Sequence, residues 1–174
     1  SRLTSQKGFD LVMRVFNEIM QEKVAIVLLG TGDPMYESFF RGMEASYKGR
    51  VCSYIAYDNA LSHQIYAASD LFLMPSKFEP CGMISLRYGT LPIVRETGGL
   101  RDTVFPYNEY TGEGNGFSFT NYNAHDMLEV IRLALRTISD PATRQMLIQN
   151  AMTADNSFIV SAKKYRDLYL SLLN

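Results

Sequence analysis

The sequence predicts an α/β fold in which a doubly wound, mostly parallel sheet carries helices on both faces. Three observations support this prediction. Short apolar segments of strand length alternate with segments whose apolar residues recur at helical spacing. Most of these helical segments are long enough to provide the crossover that joins two parallel strands. The 174 residues suffice for one domain with a sizeable core, and no internal repeat or low-complexity linker divides them.

The predicted elements follow one another in regular order. The strands cover residues 2–3, 24–29, 51–55, 70–74, 92–95 and 116–119. The helices cover residues 8–21, 35–47, 61–68, 82–88, 99–104, 124–138, 141–153 and 158–173. The strand 24–29, and residues 71–74 of the strand 70–74, are continuously apolar, which is typical of strands buried on both faces of a parallel sheet.

The composition limits the kinds of molecule that the chain is expected to bind and the compartment in which it is expected to work. The 17 basic and 18 acidic residues nearly balance, so the chain has no electrostatic reason to bind nucleic acid or a membrane surface. No apolar run approaches the roughly 20 residues of a membrane helix. Cys52 and Cys81 lack metal-ligand or disulfide spacing, which favours a reducing cytoplasm. Because the chain opens at Ser1 with neither an initiator methionine nor a signal peptide, we expect residues 1–174 to be one domain of a longer protein.

The most informative segment is the predicted loop that follows strand 70–74. It places Glu79 directly before a helix that begins at Gly82. In open α/β sheets ligands collect at the carboxyl ends of the strands, and the start of a helix attracts phosphate. A carboxylate at that position would repel a bare phosphate but accepts hydrogen bonds from hydroxyls. The segment therefore predicts a site for a sugar that is attached to a phosphate.

Arg2 and Lys7 supply two candidate cations at the end of the first strand, just before the first helix. They could clamp the pyrophosphate of a nucleotide-sugar and neutralise the charge that grows on it as it leaves. The residues alone leave a second interpretation open, since surface cations are common and these two could simply be solvated.

Two further segments are candidates for the nucleoside. Gly30-Thr-Gly32 follows a strand but lacks the third glycine of a dinucleotide fingerprint, so a tight turn that brings the backbone of Gly32 close to a ribose is the better interpretation. Tyr57 follows the next strand and could stack on a base. Asp58 or Asn59 is predicted to cap the helix that begins there.

Other residues whose side chains could take part in catalysis or binding have simpler explanations. His63 and His125 lie on predicted helices without a second ligand nearby, so structural roles are favoured for both. Cys81 precedes a helix start, but no local base is available to activate a nucleophile, and we expect a small, close-packed side chain. The turn Thr97-Gly-Gly-Leu100 could cradle phosphate or simply connect a strand to a helix.

Several motifs together resemble one family. They are Arg2-Leu-Thr-Ser-Gln-Lys-Gly8, the segment from Tyr57 to Ala67, Pro75 to Gly82, Leu86-Arg-Tyr-Gly-Thr-Leu-Pro92, Thr97-Gly-Gly-Leu100 and Asp102-Thr103. This combination resembles the carboxyl-terminal half of bacterial glycogen synthases and plant starch synthases, and it covers nearly the whole chain. The resemblance implies the Rossmann-like second domain of a GT-B enzyme, which holds most of the donor nucleotide while the first domain closes the cleft.

The resemblance also implies an activity and a set of site residues. The family transfers glucose from ADP-glucose to the non-reducing end of an α-1,4-glucan, with retention and without a cofactor or a required metal. By position, Arg2 and Lys7 would bind the diphosphate, Glu79 the glucose hydroxyls and Tyr57 the adenine. The backbone at Cys81 and Gly82 would bind the sugar and the distal phosphate.

One feature departs from the family pattern. About three residues of the Leu-Ser-Gln kind are missing between Gly82 and Leu86, where amides would reach the phosphate. One explanation is a deletion in the protein that blunts its phosphate pocket. The other is that the residues exist in the protein and are absent from the printed sequence. We favour the second explanation, because a deletion at the start of a helix would rotate its hydrophobic face. Two alternatives to the leading function remain: a GT-B transferase with a different donor, and a non-catalytic nucleotide-binding or glucan-binding module.

Overall fold

The computed structural model describes residues 1–79, 84–154 and 158–172. Its strands are β1 (Arg2–Leu3), β2 (Ile26–Leu29), β3 (Thr31–Gly32), β4 (Val51–Tyr54), β5 (Leu71–Met74), β6 (Leu91–Arg95) and β7 (Phe117–Phe119). Its helices are α1 (Phe9–Arg14), α2 (Phe16–Ile19), α3 (Pro34–Ser46), α4 (Asn59–Ala68), α5 (Gly98–Thr103), α6 (Ala124–Ile138), α7 (Pro141–Thr153) and α8 (Phe158–Ser171). Short 3-10 turns cover Ser5–Lys7 and Ser85–Tyr88.

All strand pairs in the described residues are parallel, which confirms the predicted fold class. They form three short ladders: β1 with β3, β2 with β4, and β5 with β6 and β7. The segment that contains β1 contacts both larger ladders, since the Ser1 ammonium donates to the Leu29 carbonyl at 2.7 Å and Lys77 N donates to the Gln6 carbonyl at 2.8 Å. The two-residue β1 pairs with β3 but, among the described strands, with neither β2 nor β5, so the ladders stay separate.

The prediction that strands 24–29 and 70–74 are buried is wrong for part of each strand, because the sheet is divided at β1. In β2, Val27 is 51% exposed, and the side chains of β5 are only partly buried. In contrast, the first four residues of β6 are buried, because β6 has a partner on each side and helices pack against it. The well-packed centre of the domain therefore lies around β6.

The helices end close to the predicted positions, with two differences. The predicted helix 8–21 is split into α1 and α2 at Val15, whose backbone leaves the helical region. The predicted helix 82–88 appears, in its described part, as the 3-10 turn at Ser85–Tyr88. As predicted, Asp58 caps α4 by accepting a hydrogen bond from Leu61 N at 2.9 Å.

Candidate functional site

The loop after β5 brings two of the predicted site residues together. The ammonium of Lys7 forms an ion pair with Oε2 of Glu79. The Glu79 side chain is 10% exposed and the Lys7 side chain 18%, so little water competes for the pair. Ser76 is fully buried and donates its hydroxyl to the same carboxylate oxygen at 3.3 Å. The Glu79 carboxylate and the Lys7 ammonium therefore lie in contact at the carboxyl ends of β1 and β5.

Glycines allow the neighbouring segments to approach this loop closely. A side chain at Gly8 would place its Cβ 2.1 Å from the Pro75 carbonyl oxygen. Gly98 has φ +48°, and a Cβ there would lie 2.4 Å from the Glu79 carbonyl oxygen. That carbonyl accepts a hydrogen bond from Gly99 N at 3.1 Å. The Thr97-Gly-Gly turn thus packs against the Glu79 backbone, which supports its structural interpretation over a phosphate cradle.

Arg2 lies in β1 with its side chain exposed, on the opposite side of the strand from the buried Leu3. Within the part of the chain that the structure describes, its guanidinium has no hydrogen-bonded or ionic partner. The two predicted cations therefore differ, since the charge of Lys7 is already balanced by Glu79 while that of Arg2 is available to an anion.

The structure gives Gly32 a structural role. Its amide donates to Oε1 of Glu37 at 2.8 Å, and Thr31 donates its hydroxyl to the same oxygen at 2.7 Å. These hydrogen bonds, the backbone one first, hold the pKa of Glu37 below its ordinary value. A Cβ at Gly32 would lie 2.4 Å from the Leu3 carbonyl oxygen, so glycine is required for β1 and β3 to pair.

Tyr57 is 88% exposed and stands immediately before the cap of α4. Its ring is accessible to a stacking partner. Cys81 and Gly82, which the resemblance assigns to the sugar and the distal phosphate, lie outside the described residues. Of the predicted site residues, the structure therefore describes Arg2, Lys7, Gly32, Tyr57 and Glu79.

Sequence reasoning missed three residues that shape the loop: Gln6, Ser76 and Arg95. The guanidinium of Arg95 donates to the carbonyls of Ser76 and Lys77, and Gln6 Nε2 donates to the Phe78 carbonyl at 3.2 Å. The signal was weak but present for Arg95, which ends β6, the strand that neighbours β5. Adjacent parallel strands end at the same edge of a sheet, so topology alone would have placed Arg95 near the loop.

The described residues contain neither a metal-binding cluster nor a membrane-spanning helix. Among residues 1–79, 84–154 and 158–172, no group of three or more histidine, cysteine, aspartate or glutamate side chains is placed to hold a metal ion. No helix within those ranges combines the length and apolar character needed to cross a membrane.

Comparisons with known proteins agree with one another. The family model for glycosyl transferases group 1 matches residues 1–153. A glycogen synthase of Clostridium perfringens is 55% identical over 176 residues, which include 99% of this chain and 36% of that protein. The catalytic domain of starch synthase IV from Arabidopsis thaliana, bound to ADP and acarbose, superposes with a TM-score of 0.85 at 37% identity, over 98% of this chain and 37% of that one.

A more distant structure, the sucrose-phosphate synthase of Thermosynechococcus elongatus, shares the fold with a TM-score of 0.71 at 22% identity, over 99% of this chain and 44% of that one. The chain spans little more than a third of the length of the glycogen synthase that it matches. That alignment extends over 176 positions although the chain has 174 residues, so the relative holds residues without a counterpart in this chain. The chain belongs to the glycosyl transferases of group 1, and glycogen synthases of Clostridium perfringens and Bacillus cereus are among its relatives.

Proposed function

We propose that this chain is the donor-nucleotide-binding domain of a glycogen or starch synthase. The full protein would transfer glucose from ADP-glucose to the non-reducing end of an α-1,4-glucan with retention. The glycogen synthases that match the whole chain, and a starch synthase structure that holds ADP and acarbose, support this proposal. Residues 1–174 would form one domain of a two-domain cytoplasmic enzyme, and the chain alone would be inactive because the acceptor side of the cleft lies elsewhere.

The ion pair between Lys7 and Glu79 is the observation that carries the proposal. A diphosphate-linked glucose offers an anion to the ammonium and hydroxyl donors to the carboxylate, so it satisfies both partners of the pair at once. Donor binding would draw Lys7 toward the diphosphate and leave Glu79 to accept hydrogen bonds from glucose. The exposed Arg2 would add a second cation to the same diphosphate.

These residues also define what the domain would contribute to the reaction. As the bond between glucose and the diphosphate breaks, positive charge grows on the sugar and negative charge on the leaving group. Glu79 would stabilise the first, and Lys7 with Arg2 the second. Because the protein supplies these cations, we propose that donor binding needs no divalent metal.

Calorimetric titration of the full-length protein with ADP and UDP, with and without a chelator, tests the proposal. We expect ADP to bind more tightly, because adenine offers Tyr57 a larger surface for stacking, and the chelator to have no effect. Equal or tighter binding of UDP would indicate a transferase with a different donor. Loss of ADP binding on adding the chelator would contradict a metal-independent site.

A further inference from the structure

Every backbone carbonyl of the segment 76–79 accepts a hydrogen bond from a group outside that segment. Exposed loops usually leave such carbonyls to water, so this complete set indicates a loop whose path is fixed before any ligand arrives. The donors are Arg95 Nε to Ser76 at 3.1 Å, Arg95 Nη2 to Lys77, Thr97 Oγ1 also to Lys77 at 3.4 Å, Gln6 Nε2 to Phe78 at 3.2 Å, and Gly99 N to Glu79 at 3.1 Å.

Arg95 contributes two of these five bonds, to adjacent carbonyls. A planar guanidinium with fixed N–H directions can hold two neighbouring peptide groups in one orientation, which a lysine ammonium on a flexible chain cannot do. Fixing the peptides of Ser76 and Lys77 sets the direction in which the chain continues to Glu79.

The guanidinium of Arg95 is itself held in place. Its Cζ lies 5.7 Å from the centroid of the Tyr122 ring, and its Nη1 donates to the Thr120 carbonyl at 3.4 Å. The Tyr122 hydroxyl donates to Oδ1 of Asp10 at 2.5 Å, which anchors the ring to α1. Burial, followed by this hydrogen bond, raises the pKa of Tyr122 well above its ordinary value, so the hydroxyl remains a donor.

We propose that Arg95 is a positioning residue for glucosyl transfer, which aligns Glu79 with the sugar by holding the loop backbone. This inference rests on the proposed function. Arg95 acts through the loop and does not itself bind the donor. A misplacement of a reacting group by about 1 Å can cost roughly a hundredfold in rate, so loss of the guanidinium fork should slow transfer.

The chain offers a matched control in Arg50. Its Nε donates to the Val24 carbonyl at 3.1 Å and its Nη2 to the Glu22 carbonyl at 2.6 Å, so it braces a loop with the same fork of two bonds. Arg50 precedes β4 and therefore stands at the amino edge of the strands, opposite the candidate site. A lysine there should cost comparable stability without changing the site.

The test compares Arg95→Lys with Arg50→Lys in the full-length protein. We expect Arg95→Lys to lower kcat at least about tenfold, with ADP affinity within about threefold and faster hydrogen exchange at the amides of 77–79. Arg50→Lys should leave kcat within about twofold for a similar change in melting temperature. Unchanged kcat in Arg95→Lys, or an equal loss in Arg50→Lys, would overturn the proposal.

Hydrogen exchange separates this inference from the proposed function. If the wild-type protein transfers no glucose from ADP-glucose, the proposed function fails, and the exchange of the 77–79 amides still decides whether Arg95 holds the loop. Faster exchange in Arg95→Lys alone supports that role. Exchange equal to that of the wild type in Arg95→Lys contradicts it.

Discussion

The two ends of the candidate site are built in different ways. At one end, the Glu79 side chain is 10% exposed, its carboxylate contacts Lys7 and Ser76, and the carbonyls of residues 76–79 all accept hydrogen bonds. At the other end, Tyr57 is 88% exposed and stands on the surface before α4. In the proposed site, the sugar end would therefore be organised before the donor binds, whereas the base end would become ordered only when the donor covers it.

This difference assigns separate tasks to the two ends. Groups that are fixed in advance stabilise a transition state without reorganisation, so Glu79 should act mainly on rate. An exposed ring gains contact area only when a base covers it, so Tyr57 should act mainly on affinity. Lys7 lies between these cases, because it pairs with Glu79 in the structure and the proposal gives it the diphosphate as its partner in the complex.

The largest expected effect is that of Glu79→Ala on turnover. A hydrogen bond to a charged group contributes about 1.5–3 kcal/mol, and contacts that tighten in the transition state should lower kcat by roughly one to three orders of magnitude. ADP affinity should stay equal or rise, because the variant frees the Lys7 ammonium. Steady-state kinetics and calorimetry of the full-length protein measure both quantities.

Glu109→Ala is the matched control, since Glu109 is an exposed carboxylate on another loop. It should change neither quantity. If Glu79→Ala keeps the turnover of the wild type and loses only stability, Glu79 has a purely structural role and does not belong to the site.

A smaller effect is expected for Lys7→Ala, which should weaken ADP binding and slow turnover together. The diphosphate is present in the ground state and gains charge as it leaves, so its cation contributes to both. We expect a loss of about tenfold in each, which corresponds to about 1.4 kcal/mol. Lys23→Ala, at an exposed lysine, serves as the control. A loss of turnover with unchanged ADP affinity would show that Lys7 does not bind the diphosphate of the donor.

The smallest effect should come from Tyr57→Ala, which removes an aromatic surface from the base. Aromatic pairs contribute about 0.5–1.5 kcal/mol beyond their buried area, so ADP affinity should fall by about threefold to tenfold, with kcat and melting temperature unchanged. Tyr110→Ala is a close control because Tyr110 is 90% exposed. If Tyr57→Ala and Tyr110→Ala bind ADP with equal affinity, the adenine does not stack on Tyr57.

The sequence was informative wherever a local pattern decides the structure. The order of strands and helices follows from apolar spacing, and the cap at Asp58 follows from its position before an apolar helix. Lys7 and Glu79 were both expected at the carboxyl ends of strands, and they meet there. These predictions required only neighbouring residues or the general rule for parallel sheets.

The remaining features depend on contacts between distant segments. The separation of the ladders results from the short β1, and the engagement of the Gly32 amide results from the way α3 turns Glu37 back toward it. Arg95 is an unremarkable strand-end residue in the sequence, and its role becomes visible only when β6 lies beside the loop. No local pattern encodes such pairings.

The most direct test of the account is glucose transfer by the full-length protein onto glycogen, with ADP-glucose and UDP-glucose as labelled donors. We expect label in the glycogen from ADP-glucose at a rate at least about tenfold above that from UDP-glucose, a difference of about 1.4 kcal/mol. The activity should persist with a chelator present. Absence of label from ADP-glucose, under conditions in which ADP binds, would contradict the assignment of this chain to a glycogen or starch synthase.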